Sequence, residues 1–292
     1  MIEINLKKYA DSFEEALNSF YSEKDTNYKI VLDAMSYSLR LGGKRIRPYL
    51  LRQFYLLCGG ENNASRNFEV AIESIHTYSL IHDDLPCMDD DDMRRGKPSC
   101  HKKYGEAYAL LAGDGLLTEA FGIAAKTQNV DSKLVVKALS RLSLLSGVDG
   151  MIGGQTIDLL SEGKNVGEEV LREICSLKTG ALIKAACTIG CILANSSEEQ
   201  EKAASKYAEC LGLAFQIEDD ILDVIGDEQK LGKPIHSDEE NEKSTFVTVF
   251  GIDECKEKVA ILTQEAKDAL NIFGKKADNL KALADFLCNR DY

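Results

Sequence analysis

Residues 198–226 read EEQEKAASKYAECLGLAFQIEDDILDVIG. No proline interrupts them, and the first half is rich in Ala, Glu and Lys, which favours helix. Tyr207, Leu211, Ala214, Phe215 and Leu222 make an apolar stripe at helical spacing. A second stripe holds Gly212, Gln216, Asp219, Asp220 and Asp223. Steps of three and four bring Gln216, Asp219 or Asp220, and Asp223 onto one side. The helix around these acids is almost wholly apolar, so they are not expected to face bulk water. Carboxylates crowded in such a setting need cations or bound metal to offset their desolvation.

Working outward, the four prolines (Pro48, Pro86, Pro98, Pro234) all sit in or beside charged motifs and none breaks a long periodic segment. The spacing predicts helices over 5–22, 27–40, 47–58, 66–84, 105–126, 131–147, 149–161, 167–174, 178–194, 198–226, 242–250, 252–270 and 277–288. Alternation typical of a strand is confined to Ser244–Phe250, STFVTVF. It is read as a buried helix, because a lone strand would lack a partner. Two longer polar loops, 88–104 and 227–241, each follow an aspartate cluster, and long loops in compact domains commonly carry function. With no repeat and no linker, residues 1–292 are expected to form a single all-α domain.

Composition narrows the function. Hydrophobic residues make up 44% of 292, enough for a full core, and the net charge of −13 argues against general nucleic-acid binding. Nine scattered cysteines, odd in number and without a CxxC pair, point to reduced thiols in a cytoplasmic protein. Cys187 and Cys191 are expected to be small buried residues. The N-terminal segment lacks the apolar core of a signal peptide. The most apolar stretch, Ala181–Ala194, is too short to cross a bilayer and includes Lys184, so no membrane span is expected.

The second acidic cluster reads Asp83-Asp84-Leu85-Pro86-Cys87-Met88-Asp89-Asp90-Asp91-Asp92, followed by Arg94-Arg95. His76, Ser79 and Asp83 share one side of the predicted helix 66–84. Pro86 ends that helix and lets Asp89 swing round towards Asp83. An EF-hand is excluded, since Arg94 falls where the loop glycine belongs. Hard oxygen ligands beside arginines suit Mg²⁺ holding a phosphate-bearing molecule. Leu41-Gly42-Gly43-Lys44-Arg45-Ile46-Arg47-Pro48 is a glycine-opened basic turn entering a helix, and Lys44, Arg45 and Arg47 are candidates to clamp a diphosphate. Two anion sites are therefore expected. One is metal-based, between the two aspartate helices, with Arg94, Lys178 and Lys233 at its rim. The other is metal-free and uses Lys44, Arg47, His76 and Arg95. Two diphosphates side by side suggest a condensation.

IHTYSLIHDDLPCMDDDDMRRGKPSCH (75–101) resembles the first aspartate-rich region of the trans-prenyltransferases, the polyprenyl synthetases. GGKRIRP (42–48), GGQTIDL (153–159), KTGAL (178–182), FQIEDDILDVIGD (215–227) and GKPIHSD (232–238) with Lys243-Ser244-Thr245 are similar to further family motifs, in the same order. The four residues between Asp84 and Asp89 resemble the short bacterial farnesyl diphosphate synthases. The resemblance implies the all-helical isoprenoid synthase fold, a bundle of long helices around a central cavity, and a homodimer. It implies three Mg²⁺ ions per site, with Mn²⁺ as a substitute. Asp83 and Asp89 would hold two, with Asp84 in support; Asp219 would hold the third, with Asp220 and Asp223 acting through water. Arg94, Lys178 with Thr179, Gln216 and Lys233 would meet the allylic diphosphate, and Lys44, Arg47, His76 and Arg95 isopentenyl diphosphate. Tyr78 and Ser79, five and four residues before Asp83, are the candidates for setting product length, with Tyr78 as the floor that stops growth at fifteen carbons. His236 departs from the glycine most relatives carry. A geranylgeranyl-forming synthase is the nearest alternative. A terpene cyclase fits less well, because Asp219-Asp220-Ile221-Leu222-Asp223 is not its usual second motif. A non-catalytic subunit also fits less well, because both clusters are intact.

Overall fold

The computed structural model describes residues 2–21, 25–225 and 244–288. Apart from one short ladder, its regular elements are helical, so the fold is all-α as expected. Contacts within the chain gather into two compact units.

The first unit joins Glu3–Arg52 to Asn62–Leu139. Its helices are α1 (Ile2–Phe20), α2 (Lys29–Leu39), the start of α3 (Ile46–Leu57), α4 (Arg66–Asp83), α5 (Cys100–Tyr104), α6 (Glu106–Ala125) and the start of α7 (Ser132–Ser146). The centre is α4, whose Phe68, Val70, Ala71, Ile72 and Ile75 are wholly buried and which packs against α6. Ala109, Ala112 and Ala120 keep the facing surface of α6 thin, and Gly113 lies against the His82 ring: a Cβ there would stand 2.0 Å from His82 Nε2, so the ring would have to shift. Charge is also buried here. Arg45 donates to Glu73 Oε1 (2.5 Å), Glu14 Oε1 (2.6 Å) and the Leu39 carbonyl (2.6 Å). Glu69 accepts from Tyr9 Oη (2.9 Å) and Ser65 Oγ (2.7 Å). Each buried charge is thus met by several partners, as desolvation requires.

The second unit joins Gln53–Glu61 to the described residues from Ser140 onward. It contains α8 (Met151–Ser161), α9 (Glu168–Ile174), a π-helical turn (Cys175–Gly180), α10 (Ala181–Leu193), α11 (Glu198–Ile225), α12 (Phe246–Phe250), α13 (Ile252–Ala269), a 3₁₀ turn (Asn271–Ala277) and α14 (Asp278–Cys288). Every residue of α10 except Lys184 is buried. The apolar stripe of α11 packs on α10 and α13. Tyr207 of that stripe meets Phe54 edge-on at 5.5 Å and donates to the Leu280 carbonyl (2.9 Å). The helical run Glu168–Leu193 is longer than the sequence reading allowed, because the π-turn carries it on, and it is long and apolar enough to cross a membrane. Of its most apolar 18-residue stretch, 72% is buried within the protein, as in a core helix. All nine cysteines are free thiols, with Cys187 and Cys191 buried.

Two local expectations change. The loop 88–104 is not wholly irregular: Met93–Arg94 (β1) pairs antiparallel with Lys97–Pro98 (β2), and α5 follows. Arg95 (φ 54°) and Gly96 (φ 73°) form the turn between them, the left-handed pair a two-residue hairpin needs. Of Ser244–Phe250, Phe246–Phe250 becomes helical, with Thr245 capping α12 by accepting from Thr248 N–H (3.2 Å), but it is not a buried helix. Phe246 is buried and Val249 is exposed, because the alternating pattern cannot supply one continuous apolar helical face.

Candidate active site

In the first unit, α4 ends at Asp83, and the chain then folds back on itself. Asp89 N–H donates to the Asp83 carbonyl (2.9 Å) and Asp90 N–H to the Leu85 carbonyl (3.2 Å). The backbones of Asp83 and Asp89 are thereby brought together despite their separation in sequence. Asp83 is half-buried and Asp89 exposed. Asp84 points elsewhere. It is buried and accepts from Arg94 Nε (2.9 Å) and, in a very short contact, Arg94 Nη2. Burial pushes the Asp84 carboxyl up while the guanidinium pulls it down. Burial likewise opposes the charge of Arg94, but Asp84 outweighs it and raises the Arg94 pKa. Arg94 also reaches Asp91 Oδ2 (3.3 Å).

The glycine-opened turn lies in the same unit. Gly43 (φ 132°) sits against Arg95, and an added Cβ would meet its Nη1 at 2.7 Å. The two basic side chains that follow part company. Arg45, in the left-handed region (φ 49°), turns inward to Glu73 and Glu14, so its expected role as a diphosphate clamp is corrected to a structural one. Arg47, in the first turn of α3, donates through Nη1 to His76 Nε2 (3.4 Å). Since a guanidinium only donates, that ring nitrogen accepts and the imidazole is neutral. Burial, then Arg47 and Arg95, hold the His76 pKa well below its usual value. Burial and Arg95 also lower Arg47, against the pull of Glu73. Arg47 Nε is buried with no hydrogen-bond partner among the described residues. Cations that destabilise one another and leave a donor unmatched are a setting for an anion. Lys44, exposed, stands at the mouth of this turn.

Tyr78 is 5% exposed, packs edge-on to His82 at 5.6 Å, and has a hydroxyl without a hydrogen-bond partner among the described residues. Burial and Asp83 push its pKa up to about 12. Ser79 is half-buried and donates to the His76 carbonyl (3.0 Å).

In the second unit, α11 carries Gln216, Asp219, Asp220 and Asp223 within two turns. Asp220 and Asp223 are buried and Asp219 is half-buried, as the apolar surroundings foretold. Asp220 accepts from Gln216 Nε2 (3.1 Å) and from Phe246 N–H (2.8 Å), tying α12 to α11. Thr179 Oγ1 donates to Gln216 Oε1 (3.4 Å). Lys178, in the π-turn, donates to Asp158 Oδ2 (2.6 Å). That turn is gripped by two glycines: a Cβ on Gly154 would meet Lys178 N at 2.1 Å, and one on Gly212 the Gly180 Cα at 3.2 Å. π-turns of this kind frequently mark functional sites. Lys233 and His236 lie outside the described residues. As a donor set, these carboxylates are all hard oxygens and fit Mg²⁺.

Residues 28–286 match the polyprenyl synthetase family. The chain belongs to that family. It is therefore a prenyltransferase of isoprenoid biosynthesis, a family working on isopentenyl and allylic diphosphates. It is 45% identical to a geranylgeranyl diphosphate synthase of Cyanophora paradoxa over 267 residues, 91% of this chain and 89% of that one. It is 42% identical to the farnesyl diphosphate synthase of Escherichia coli (strain K12) over 283 residues, 95% of each. A solved geranylgeranyl pyrophosphate synthetase of Pyrococcus horikoshii superposes with a TM-score of 0.89 at 33% identity, covering 99% of this chain and 98% of that one.

Within this prenyltransferase, sequence reasoning passed over Asp158, although its motif GGQTIDL was singled out. Only the fold reveals that it holds Lys178. A second omission is Asp90, Asp92 and His101, whose ligand atoms all lie within 4.8 Å of one another and could hold a metal ion.

Proposed function

We propose that the enzyme condenses isopentenyl diphosphate head-to-tail with dimethylallyl and then geranyl diphosphate to give (2E,6E)-farnesyl diphosphate, as a Mg²⁺-dependent cytoplasmic homodimer. The observation that carries this reading is the Arg47–His76–Arg95 cluster on the same unit as the Asp83–Asp89 turn, which the reading takes as a metal-free anion site accompanying a carboxylate site. A cyclase, with one diphosphate to bind, has no use for the former. In this reading Asp83, Asp89 and Asp219 hold three Mg²⁺ ions, supported by Asp84, Asp220 and Asp223. What bound magnesium supplies is neutralisation of charge growing on the leaving diphosphate.

The chain's own residues do the rest. Arg94, oriented by Asp84, and Lys178, oriented by Asp158, donate to the allylic diphosphate, with Thr179, Gln216 and Lys233 beside it. Donors fixed before the C–O bond breaks need no reorganisation as charge develops, and each ~1.4 kcal/mol so gained is tenfold in rate. Lys44, Arg47, neutral His76 and Arg95 hold isopentenyl diphosphate so that its double bond meets the allylic carbon. The proton lost after bond formation leaves with the released diphosphate. Tyr78, with Ser79 beside it, limits the chain to fifteen carbons. Support for a homodimer comes from α6, which exposes the large apolar side chains of Tyr108, Leu110 and Leu111.

The alternative is a twenty-carbon product, favoured by the likeness to the Cyanophora enzyme. Incubating the purified chain with isopentenyl and dimethylallyl diphosphates and analysing the dephosphorylated alcohols tests both. Farnesol as the main product supports the reading, and geranylgeraniol replaces it with the alternative. A hydrocarbon from farnesyl diphosphate alone would turn the assignment to a cyclase.

A further inference from the structure

The acidic run after α4 holds more carboxylates than the diphosphate reading uses. Asp90 and Asp92 project from the turn, and His101 lies beneath them in α5; one ligand atom from each falls within 4.8 Å of the others. Exposed acids gather in many proteins without binding anything, so the pair alone carries no weight. His101 changes the picture. Its side chain is 3% exposed, and Nε2 is buried without a hydrogen-bond partner among the described residues, facing Asp90 Oδ1 at 3.7 Å. The other ring nitrogen, Nδ1, lies 3.1 Å from Ser99 Oγ, which is also buried. If Nδ1–H donates to that hydroxyl, the lone pair of Nε2 points at the two carboxylates. An outer hydrogen bond of this sort fixes the tautomer of a metal-bound histidine. Ser99 N–H also donates to the Asp92 carbonyl (2.9 Å), which holds the turn over α5.

We propose that Asp90, Asp92 and His101 form a binding site for a borderline divalent ion of the Zn²⁺ type, separate from the carboxylates that serve the diphosphate. Imidazole with two carboxylates suits Zn²⁺ and leaves a position for water, whereas Mg²⁺ prefers an all-oxygen shell. The ion would staple the turn carrying Asp89 to α5, and with it the hairpin carrying Arg94 and Arg95. It is a positioning site. Lys102 Nζ lies 2.6 Å from Asp92 Oδ1, and this exposed lysine swings aside for the ion to enter.

The test is equilibrium dialysis of the intact protein against ZnCl₂ in excess MgCl₂, so that magnesium occupies the diphosphate-site carboxylates. The wild type is expected to bind one Zn²⁺ per chain. His101→Ala should weaken that binding at least tenfold, since loss of a mere outer-shell partner costs about 10–100-fold. Asp90→Asn should weaken it too. Lys102→Ala should tighten it severalfold by removing the competing cation, and Asp83→Ala and Asp219→Ala should leave it unchanged. Thermal melts identify any variant that fails to fold; should His101→Ala be one, Asp90→Asn and Lys102→Ala decide. The proposal falls if no Zn²⁺ binds over Mg²⁺, if binding ignores His101 and Asp90, or if Asp83→Ala or Asp219→Ala removes it. None of these readouts depends on prenyl transfer.

Discussion

Replacing Tyr78 by alanine should lengthen the product from fifteen to twenty carbons or more, at a modest cost in stability. Tyr78 is 5% exposed and in edge-on contact with His82, so truncation removes a buried aromatic ring. Changes of that kind cost about 3–5 kcal/mol. Its hydroxyl, however, is buried without a partner among the described residues, a burden of about 1–3 kcal/mol that disappears with it. The net loss is about 2 kcal/mol, or roughly 3 °C in melting temperature for a chain of this size. Tyr78→Phe separates the two terms. It keeps the ring and sheds only the hydroxyl, so it should melt about 1 kcal/mol more stably and still stop at fifteen carbons. With a pKa pushed up to about 12, the phenol is neutral throughout the working range, so neither effect should vary with pH. Chromatography of dephosphorylated products reads the length, and calorimetry the stability. A folded Tyr78→Ala enzyme that still yields only farnesol would refute the floor assignment.

Three further outcomes follow from the same contacts. Asp158→Asn weakens a 2.6 Å charge-assisted bond to Lys178, and steady-state kinetics should show kcat down about tenfold while the melting temperature barely moves; an unchanged kcat would mean Lys178 needs no such partner. Glu73→Gln strands part of the buried Arg45 charge and should cost about 3 kcal/mol by denaturant titration, since Glu14 and the Leu39 carbonyl remain. His76 gives a pH signature in the substrate-free protein. Its folded pKa lies well below the unfolded value of about 6.5, so the unfolded chain takes up the proton first on acidification. The contribution is complete above about pH 6.5 and is lost as pH falls below it. Melting temperatures of His76→Gln should therefore fall less steeply with acid than those of the wild type.

These residues also mark how far the sequence could be read. α11 was legible because its apolar stripe is regular, free of proline and long enough for the helical period to declare itself. The burial of Asp220 and Asp223 followed from that stripe. The fates of Arg45 and Arg47 did not. They are near neighbours in one basic turn, and what separates them is a left-handed backbone at Arg45 and two glutamates from distant helices. The π-turn was equally hidden. The spacing left a break at 175–177, between the helices read at 167–174 and 178–194, whereas CSLKTG carries the helix on as a wider coil that accompanies close approach by Gly154 and Gly212, which only tertiary packing brings about. Asp158 was overlooked for the same reason, since its importance lies in a contact across twenty residues. The hairpin at Arg95-Gly96 did have a local signal, a glycine in a two-residue turn, but the surrounding charge masked it.

The central claim is that carboxylates on α4 and α11 act together, through divalent ions, to draw diphosphate from an allylic carbon. It is tested most directly by single-turnover condensation of isopentenyl and geranyl diphosphates by metal-stripped enzyme, before and after Mg²⁺ is restored. The account predicts no farnesyl diphosphate without metal, full recovery with Mg²⁺, and loss of that recovery in both Asp83→Ala and Asp219→Ala. Condensation by the stripped enzyme at the normal rate, or Mg²⁺-restored activity indifferent to either aspartate, would contradict it.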